Sequence, residues 1–161
     1  LDHCGFVVGE QRLALIDLQP NCLDYAAQRL ARYQPEKYVW EAGMPLAGIA
    51  PFDSIALGGI LHCLPGDMQR KGLVFDALES ICNPGATVFG YTLVNDAVPQ
   101  NIRRRFVFRQ FHRLHVINCE HDSLIDLERE LFVRFDDYSI ELVGCFAFFK
   151  GTLQYPSRFH S

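Results

Sequence analysis

The stretch Pro51 to Pro65, PFDSIALGGILHCLP, limits what this chain can fold into more than any other. Its first half reads as a buried strand, with Phe52 and Ala56 on one face and Ile55 and Leu57 on the other. Gly58 and Gly59 then permit close backbone approach, and residues 60–65 lead off toward a helix. A strand of this kind running into a helix belongs to an open α/β sheet, where ligands gather at the carboxyl ends of the strands. Function is therefore expected around Gly58 to Cys63 and at the matching ends of neighbouring strands.

The rest of the chain follows the same alternation. Leu13 to Asp17, LALID, is a short apolar run ending in a carboxylate and reads as a parallel strand. Asn21 is the expected N-cap of a helix whose Leu23, Ala26, Ala27 and Leu30 share one face, with Gln34 and Pro35 ending it. Tyr38 to Ala42 gives a second strand, before a loop with Gly43, Pro45 and Gly48. After the stretch at Pro51, a helix starts at Pro65-Gly66-Asp67, buries Val74, Ala77, Leu78 and Ile81, and stops at Asn83-Pro84-Gly85. Ala86 to Val94 is a β-rich strand with Gly90 as an interruption. Pro99 begins a helical stretch to about Leu114. Asp122 caps a further helix with Leu124, Leu127 and Leu131 inside, and SIELVGCFAFFKGTL reads as an antiparallel strand pair broken near Gly144. One α/β layer sandwich accounts for this order.

Composition narrows the function classes. A chain of 161 residues with 49% apolar and 21% charged residues fits one globular domain spanning the whole sequence. Its net charge of −4 argues against a general nucleic-acid binder, and no apolar run reaches membrane-spanning length. The start LDHCGFVVGEQR carries no signal-peptide pattern, and the missing initiator Met predicts a fragment or processed chain. Cys4, Cys22, Cys63, Cys82, Cys119 and Cys145 are spread singly, which predicts reduced thiols and a cytoplasmic location.

With these elements placed, the chain resembles the class I S-adenosylmethionine-dependent methyltransferases. LALIDLQPNCLDYAAQRLARYQP, FDSIALGGILHCLPGD, NPGATVFGYTLV and the closing strand pair carry the resemblance, from Leu13 to about Leu153. It implies a Rossmann-like three-layer sandwich, mostly parallel, with a C-terminal antiparallel pair. It further implies methyl transfer from S-adenosylmethionine to a small-molecule acceptor, with no nucleic-acid or membrane partner. Asp17 stands where the family's ribose-binding acid stands, since a carboxylate accepts two hydrogen bonds from a diol. Read without the resemblance, Asp17 is also a simple strand-ending turn residue. Leu18 would lie against the adenine, Glu41 and Ala42 match the region that reads the adenine amino group, and Gly58 and Gly59 would meet the cofactor through backbone.

The family's central first strand and glycine-rich loop should precede Leu1. Their absence predicts an N-terminally truncated domain, in which the strands at Leu13–Asp17 and Phe52–Gly58 pair directly or a second chain covers the gap. Methyl transfer by such a chain is expected to be impaired. The alternative is a non-catalytic methyltransferase-like relic or binding module that does not bind the cofactor.

Three further groups invite chemistry. His62 could act as a base toward an acceptor, with Cys63 beside it, or both could simply shape the pocket wall. His112, His115, Cys119 and His121 sit close enough in sequence to suggest zinc, but match no usual zinc spacing, so no metal is expected. Arg103, Arg104, Arg105, Arg109 and Arg113 interleave with aromatics in a pattern that single-strand RNA binders use. The acidic balance of the chain favours a solvated helix face instead. In the resembling family this region lines the acceptor pocket, which makes Phe106, Phe108 and Phe111 expected substrate contacts.

Overall fold

Alternating strands and helices do form along the chain, in two compact units, Leu1–Met44 and Pro45–Ser161. The computed structural model describes residues 6–95 and 117–154. Phe106, Phe108, Phe111, His112, His115 and the five arginines of the basic segment lie outside the described residues.

In the first unit β1 (Ala14–Asp17) and β2 (Glu36–Val39) pair in parallel, with Ala14 opposite Glu36 and Asp17 opposite Val39. Helix α1 (Pro20–Arg29) connects them and buries Leu23, the first residue of the expected apolar stripe. Its N-cap is Gln19 rather than Asn21, because Pro20 takes the first helical position, where its missing N–H costs nothing. The strand expected at Tyr38–Ala42 lies earlier, at Glu36–Val39. Its partner β1 ends at Asp17, so Trp40 makes one last bond, N–H to the Asp17 carbonyl at 3.1 Å, and turns away. The indole of Trp40 is buried and donates to the Met44 carbonyl at 2.7 Å, closing a turn that Gly43 enters at φ +89°.

The second unit holds a four-stranded sheet of order β3-β4-β6-β5, with β3 (Phe52–Gly58) parallel to β4 (Cys82–Leu93) and the remaining pairs antiparallel. β5 (Phe135–Val143) and β6 (Phe146–Leu153) form the expected terminal hairpin. Its two-residue turn places Gly144 first, at φ +63°, the primed geometry that matches the twist of the flanking strands. The helix expected to end at Asn83-Pro84-Gly85 ends sooner. Helix α2 (Met68–Leu78) passes through a 3-10 turn, Glu79–Ile81, straight into β4. Asn83, Pro84 and Gly85 sit in the strand as part of an irregularity, with the register shifting between Phe52 and Ser54, since Pro84 has no N–H to give a ladder.

Register assigns the faces. Ile55, Val88, Gly151 and Tyr138 lie in one row, Leu57, Gly90, Phe149 and Ile140 in the next, and Thr92, Ala147 and Leu142 beyond. This face is covered by α2 and α3 (Leu124–Arg134), with the Phe75 ring edge-on to Phe135 at 5.2 Å and to Phe149 at 5.8 Å. The opposite face carries Phe89, Tyr91, Phe146 and Phe148, all at least partly exposed. So β3 is not buried on both faces as its composition suggests.

The strands β1 and β3 belong to different units. Each finds a parallel partner within its own unit, β2 for β1 and β4 for β3. The helices α2 and α3 are joined through Arg134, whose guanidinium meets both Asp76 and Glu130. Gly72 makes this possible, because a Cβ there would strike the Glu130 carboxylate. Among the described residues, no helix is long and apolar enough to cross a membrane.

Two measurements follow from these contacts. The Thr92 hydroxyl is fully buried and has no hydrogen-bond partner among the described residues. Thr92→Val should therefore raise unfolding stability by about 1 kcal/mol in a denaturant titration. In the first unit the Arg12 guanidinium, helped by the Tyr38 hydroxyl, holds the Glu36 carboxyl at about 2 instead of the ordinary 4.5. A lowered acid stabilises the fold above its unfolded value, so this contribution should be complete above pH 4.5 and vanish as pH falls toward about 2. Carboxyl NMR of Glu36 checks the midpoint, and Glu36→Gln should remove that part of the acid dependence.

Candidate active site

The carboxyl ends of β1 and β2 bring four of the expected cofactor residues into one neighbourhood of the first unit. Asp17 ends β1, Leu18 follows it, and Glu41 and Ala42 follow β2, tied to it by the bond from Trp40 to Asp17. Asp17 is exposed, and its Oδ1 accepts from the Gln19 N–H at 2.8 Å, closing the turn into α1. Asp17 is thus a strand-ending turn residue in fact. Its Oδ2 makes no hydrogen bond among the described residues, which leaves one carboxylate oxygen for a ligand diol. Leu18 is 52% exposed, Glu41 is exposed, and Ala42 is half-buried.

In the second unit the carboxyl end of β3 holds Gly58, Gly59, His62 and Cys63. Among the described residues nothing lies within 4 Å of where a Gly58 Cβ would stand, which leaves that side of the backbone open to an approaching molecule. Gly59 is different. It has φ +77°, and its missing Cβ would lie 2.9 Å from His62 Cε1 and 3.2 Å from the Tyr91 ring, so the imidazole and phenol occupy its side-chain space. From Tyr91 an aromatic wall continues along the open face of the sheet. The Tyr91 ring is 5.8 Å from Phe148 and 5.9 Å from Phe146, and 6.3 Å from His62. Tyr91, Phe146 and Phe148 were not among the sequence candidates. The signal was present only as alternation, since they occupy the odd positions of β4 and the even positions of β6.

The turn Leu61–Cys63 is pinned from a distant part of the chain. Asn118 donates its backbone N–H to the His62 carbonyl at 2.6 Å and its side-chain amide to the Cys63 carbonyl at 2.9 Å. Asn118 is held in turn by Lys71 of α2, whose ammonium donates to the Asn118 carbonyl at 2.6 Å and to both Asp122 oxygens at 2.7 and 2.6 Å. Lys71 and Asp122 are both about 1% exposed. Asp122 does not cap the following helix as expected. Ser123 does, accepting from the Asp126 N–H, while Asp122 faces inward to the ammonium. Burial pushes the Asp122 carboxyl up, and the Lys71 hydrogen bonds and charge oppose that push.

Burial also sets the states of the nearby side chains. It lowers the His62 pKa, with Lys71 adding to the effect, so the imidazole is neutral at pH 7. It raises the Cys63 thiol, partly offset by Lys71, which makes Cys63 a weak nucleophile. Cys119 is fully buried beside Leu93 and Ile117, with its thiol raised to about 11 by burial. Its surroundings are those of a thiol packed in an apolar core. Among the described residues, no three His, Cys, Asp or Glu side chains gather as a metal site.

No protein-family model matches the chain. It is 32% identical over 148 residues to the demethylluteothin O-methyltransferase of Streptomyces thioluteus, covering 90% of this chain and 64% of that protein. It is 31% identical over 144 residues to methyltransferase ctvB of Aspergillus terreus, covering 88% of this chain and 63% of that protein. Among solved structures, the N-methyltransferase NodS of Bradyrhizobium japonicum WM9 in complex with S-adenosyl-L-homocysteine superposes with a TM-score of 0.61 at 15% identity, over 88% of this chain and 66% of that one. A possible exported protein of Bordetella parapertussis reaches a TM-score of 0.70 at 17% identity over 88% of this chain and 53% of that one. The chain thus has the class I S-adenosylmethionine-dependent methyltransferase-like fold, an α/β Rossmann-like sheet with mixed strand directions. It spans less than two thirds of the length of the two sequence relatives.

The buried pair sets up a direct measurement. Lys71→Met should lower stability by about 3–5 kcal/mol, because Asp122 is left buried without its cation. Lys71→Met combined with Asp122→Leu should recover a large part of that loss, and denaturant titration of the three proteins checks both statements.

Proposed function

We propose that this chain is part of a methyltransferase that uses S-adenosylmethionine and acts on a small-molecule acceptor. The single observation that carries the reading is the placement of Asp17, an exposed carboxylate at the end of a parallel strand, with one oxygen uncommitted among the described residues. A ribose diol fits that group by ordinary hydrogen-bond chemistry. Its sequence relatives, the demethylluteothin O-methyltransferase and methyltransferase ctvB, point the same way.

In this reading Asp17 and Leu18 hold the ribose and the adenine, and Glu41 and Ala42 lie at the adenine edge. Gly58 and Gly59 offer backbone, and His62, Cys63 and the aromatics Tyr91 and Phe148 border the acceptor. When bound, S-adenosylmethionine would supply an electrophilic methyl group on a sulfonium. The chain's own contribution is binding and orientation, which methyl transfer exploits by holding reactants in line. The aromatic wall beside His62 suits a flat, largely apolar acceptor.

The family's first strand and glycine-rich loop belong, in this proposal, to a segment before Leu1 in the full-length protein. A second chain supplying an equivalent strand is the other source. The coding sequence upstream of Leu1 distinguishes them. A strand followed by a glycine-rich turn there supports the first, and its absence together with a dimer in light scattering supports the second.

Calorimetric titration of the folded, full-length protein with S-adenosylhomocysteine tests the reading. Binding is expected, weakened about 10- to 100-fold by Asp17→Ala through loss of hydrogen bonds to a charged acceptor. No binding heat from a sample shown to be folded would instead favour a binding module that has kept the fold without the cofactor.

A further inference from the structure

His62 is held by a backbone donor that the sheet leaves over. In β4 successive N–H groups alternate between the two neighbouring strands. The N–H of Val94 goes to the Cys145 carbonyl on the β6 side at 3.0 Å, so the N–H of Leu93 faces the β3 side. β3 has already ended there. Its last residue, Gly58, is opposite Tyr91, two residues before Leu93. The chain has turned at Gly59, and the His62 imidazole occupies the place of the next strand residue, its Nδ1 accepting from the Leu93 N–H at 3.4 Å.

A backbone amide can only donate, so the imidazole nitrogen that faces it must present a lone pair. Neutral imidazole carries one proton, which then resides on Nε2. We propose that β4 fixes His62 as its Nε2–H tautomer, so that this residue meets the acceptor as a hydrogen-bond donor and takes no proton from it. The inference rests on the acceptor-side placement of His62 in the proposed function, and it replaces the role of base expected from the sequence.

The surroundings remove the freedom to do otherwise. A flip of the ring would bring a carbon to the Leu93 N–H, and the Cε1 edge is already packed over Gly59 beside Tyr91. The backbone of the turn cannot swing, because Asn118 grips both the His62 and Cys63 carbonyls. Nε2 has no hydrogen-bond partner among the described residues and is left for a ligand. A fixed donor suits an acceptor molecule that arrives already deprotonated and can take a hydrogen bond while keeping a lone pair for the reaction: a phenolate or an enolate. An un-ionised alcohol, which needs a base, does not match it.

The test uses the full-length protein labelled with 15N-histidine, with His62 assigned by its absence in His62→Gln. Long-range proton–nitrogen spectra at pH 7.5 should show His62 Nδ1 in the unprotonated range and Nε2 in the protonated range. The reverse pattern, or the averaged pattern of a free imidazole, overturns the proposal. As a second measurement, the Leu93 amide should exchange about tenfold faster in folded His62→Ala, the factor expected for losing one hydrogen bond. The Val94 amide, held by Cys145, should be unchanged. Equal acceleration at both positions, or none at Leu93, also overturns it. Neither readout requires cofactor binding, so a failed titration with S-adenosylhomocysteine and a failed tautomer assignment are separate results.

Discussion

The ammonium of Lys71 sits in the interior with three acceptor oxygens around it, and the second unit is arranged to keep it there. Removing an ammonium and a carboxylate from water costs several kcal/mol each, a cost met only when geometry is good and the remaining donors are satisfied. Here Asp122 takes two of the three protons' directions and the Asn118 carbonyl the third. That requirement fixes the approach to α3 relative to α2, across 51 residues of sequence. It also fixes Asn118, and through Asn118 the turn after β3. A packed apolar contact in the same place would hold the helices together but would not dictate the direction of a carbonyl.

Much of the fold was legible because its signals are local. β1, β3, α2 and the hairpin at Gly144 lie within a few residues of where strand runs, an acidic N-cap and a turn glycine place them. Asp67 does accept the Arg70 N–H at the start of α2. The misplacements share a cause. Asp122 has the residue type and position of an N-cap, and only a lysine 51 residues away shows that its carboxylate is needed elsewhere. Asn83-Pro84-Gly85 reads as a helix stop, yet the helix has ended on its own and the strand absorbs the proline as a bulge. Trp40 reads as a strand residue until the indole N–H finds the Met44 carbonyl.

The candidate site divides along the same line. The strand end and turn at Gly58 to Cys63 were legible, since a strand end followed by two glycines is a local pattern. Tyr91, Phe146 and Phe148 were not, because their meaning depends on which face of the sheet the helices cover. Lys71 gives no sign in sequence of being other than a solvated helix residue. Asn118 looks like a loop residue, and its two grips on residues 62 and 63 span more than fifty positions. What sequence spacing conveys is the strand end and the turn after it. The means of holding that turn still lie in long-range polar contacts.

The geometry at the end of β3 also bears on how this segment can vary over time. The distance from Gly58 to the imidazole is set by three intervening residues, and the ring must arrive where the vanished strand would have placed its next acceptor. Substitutions at Ile60 can be tolerated as long as the turn closes. A one-residue insertion or deletion between Gly58 and His62 would carry the ring off Leu93 altogether. The length of this turn, more than its composition, is therefore the property that natural variants of the chain should share.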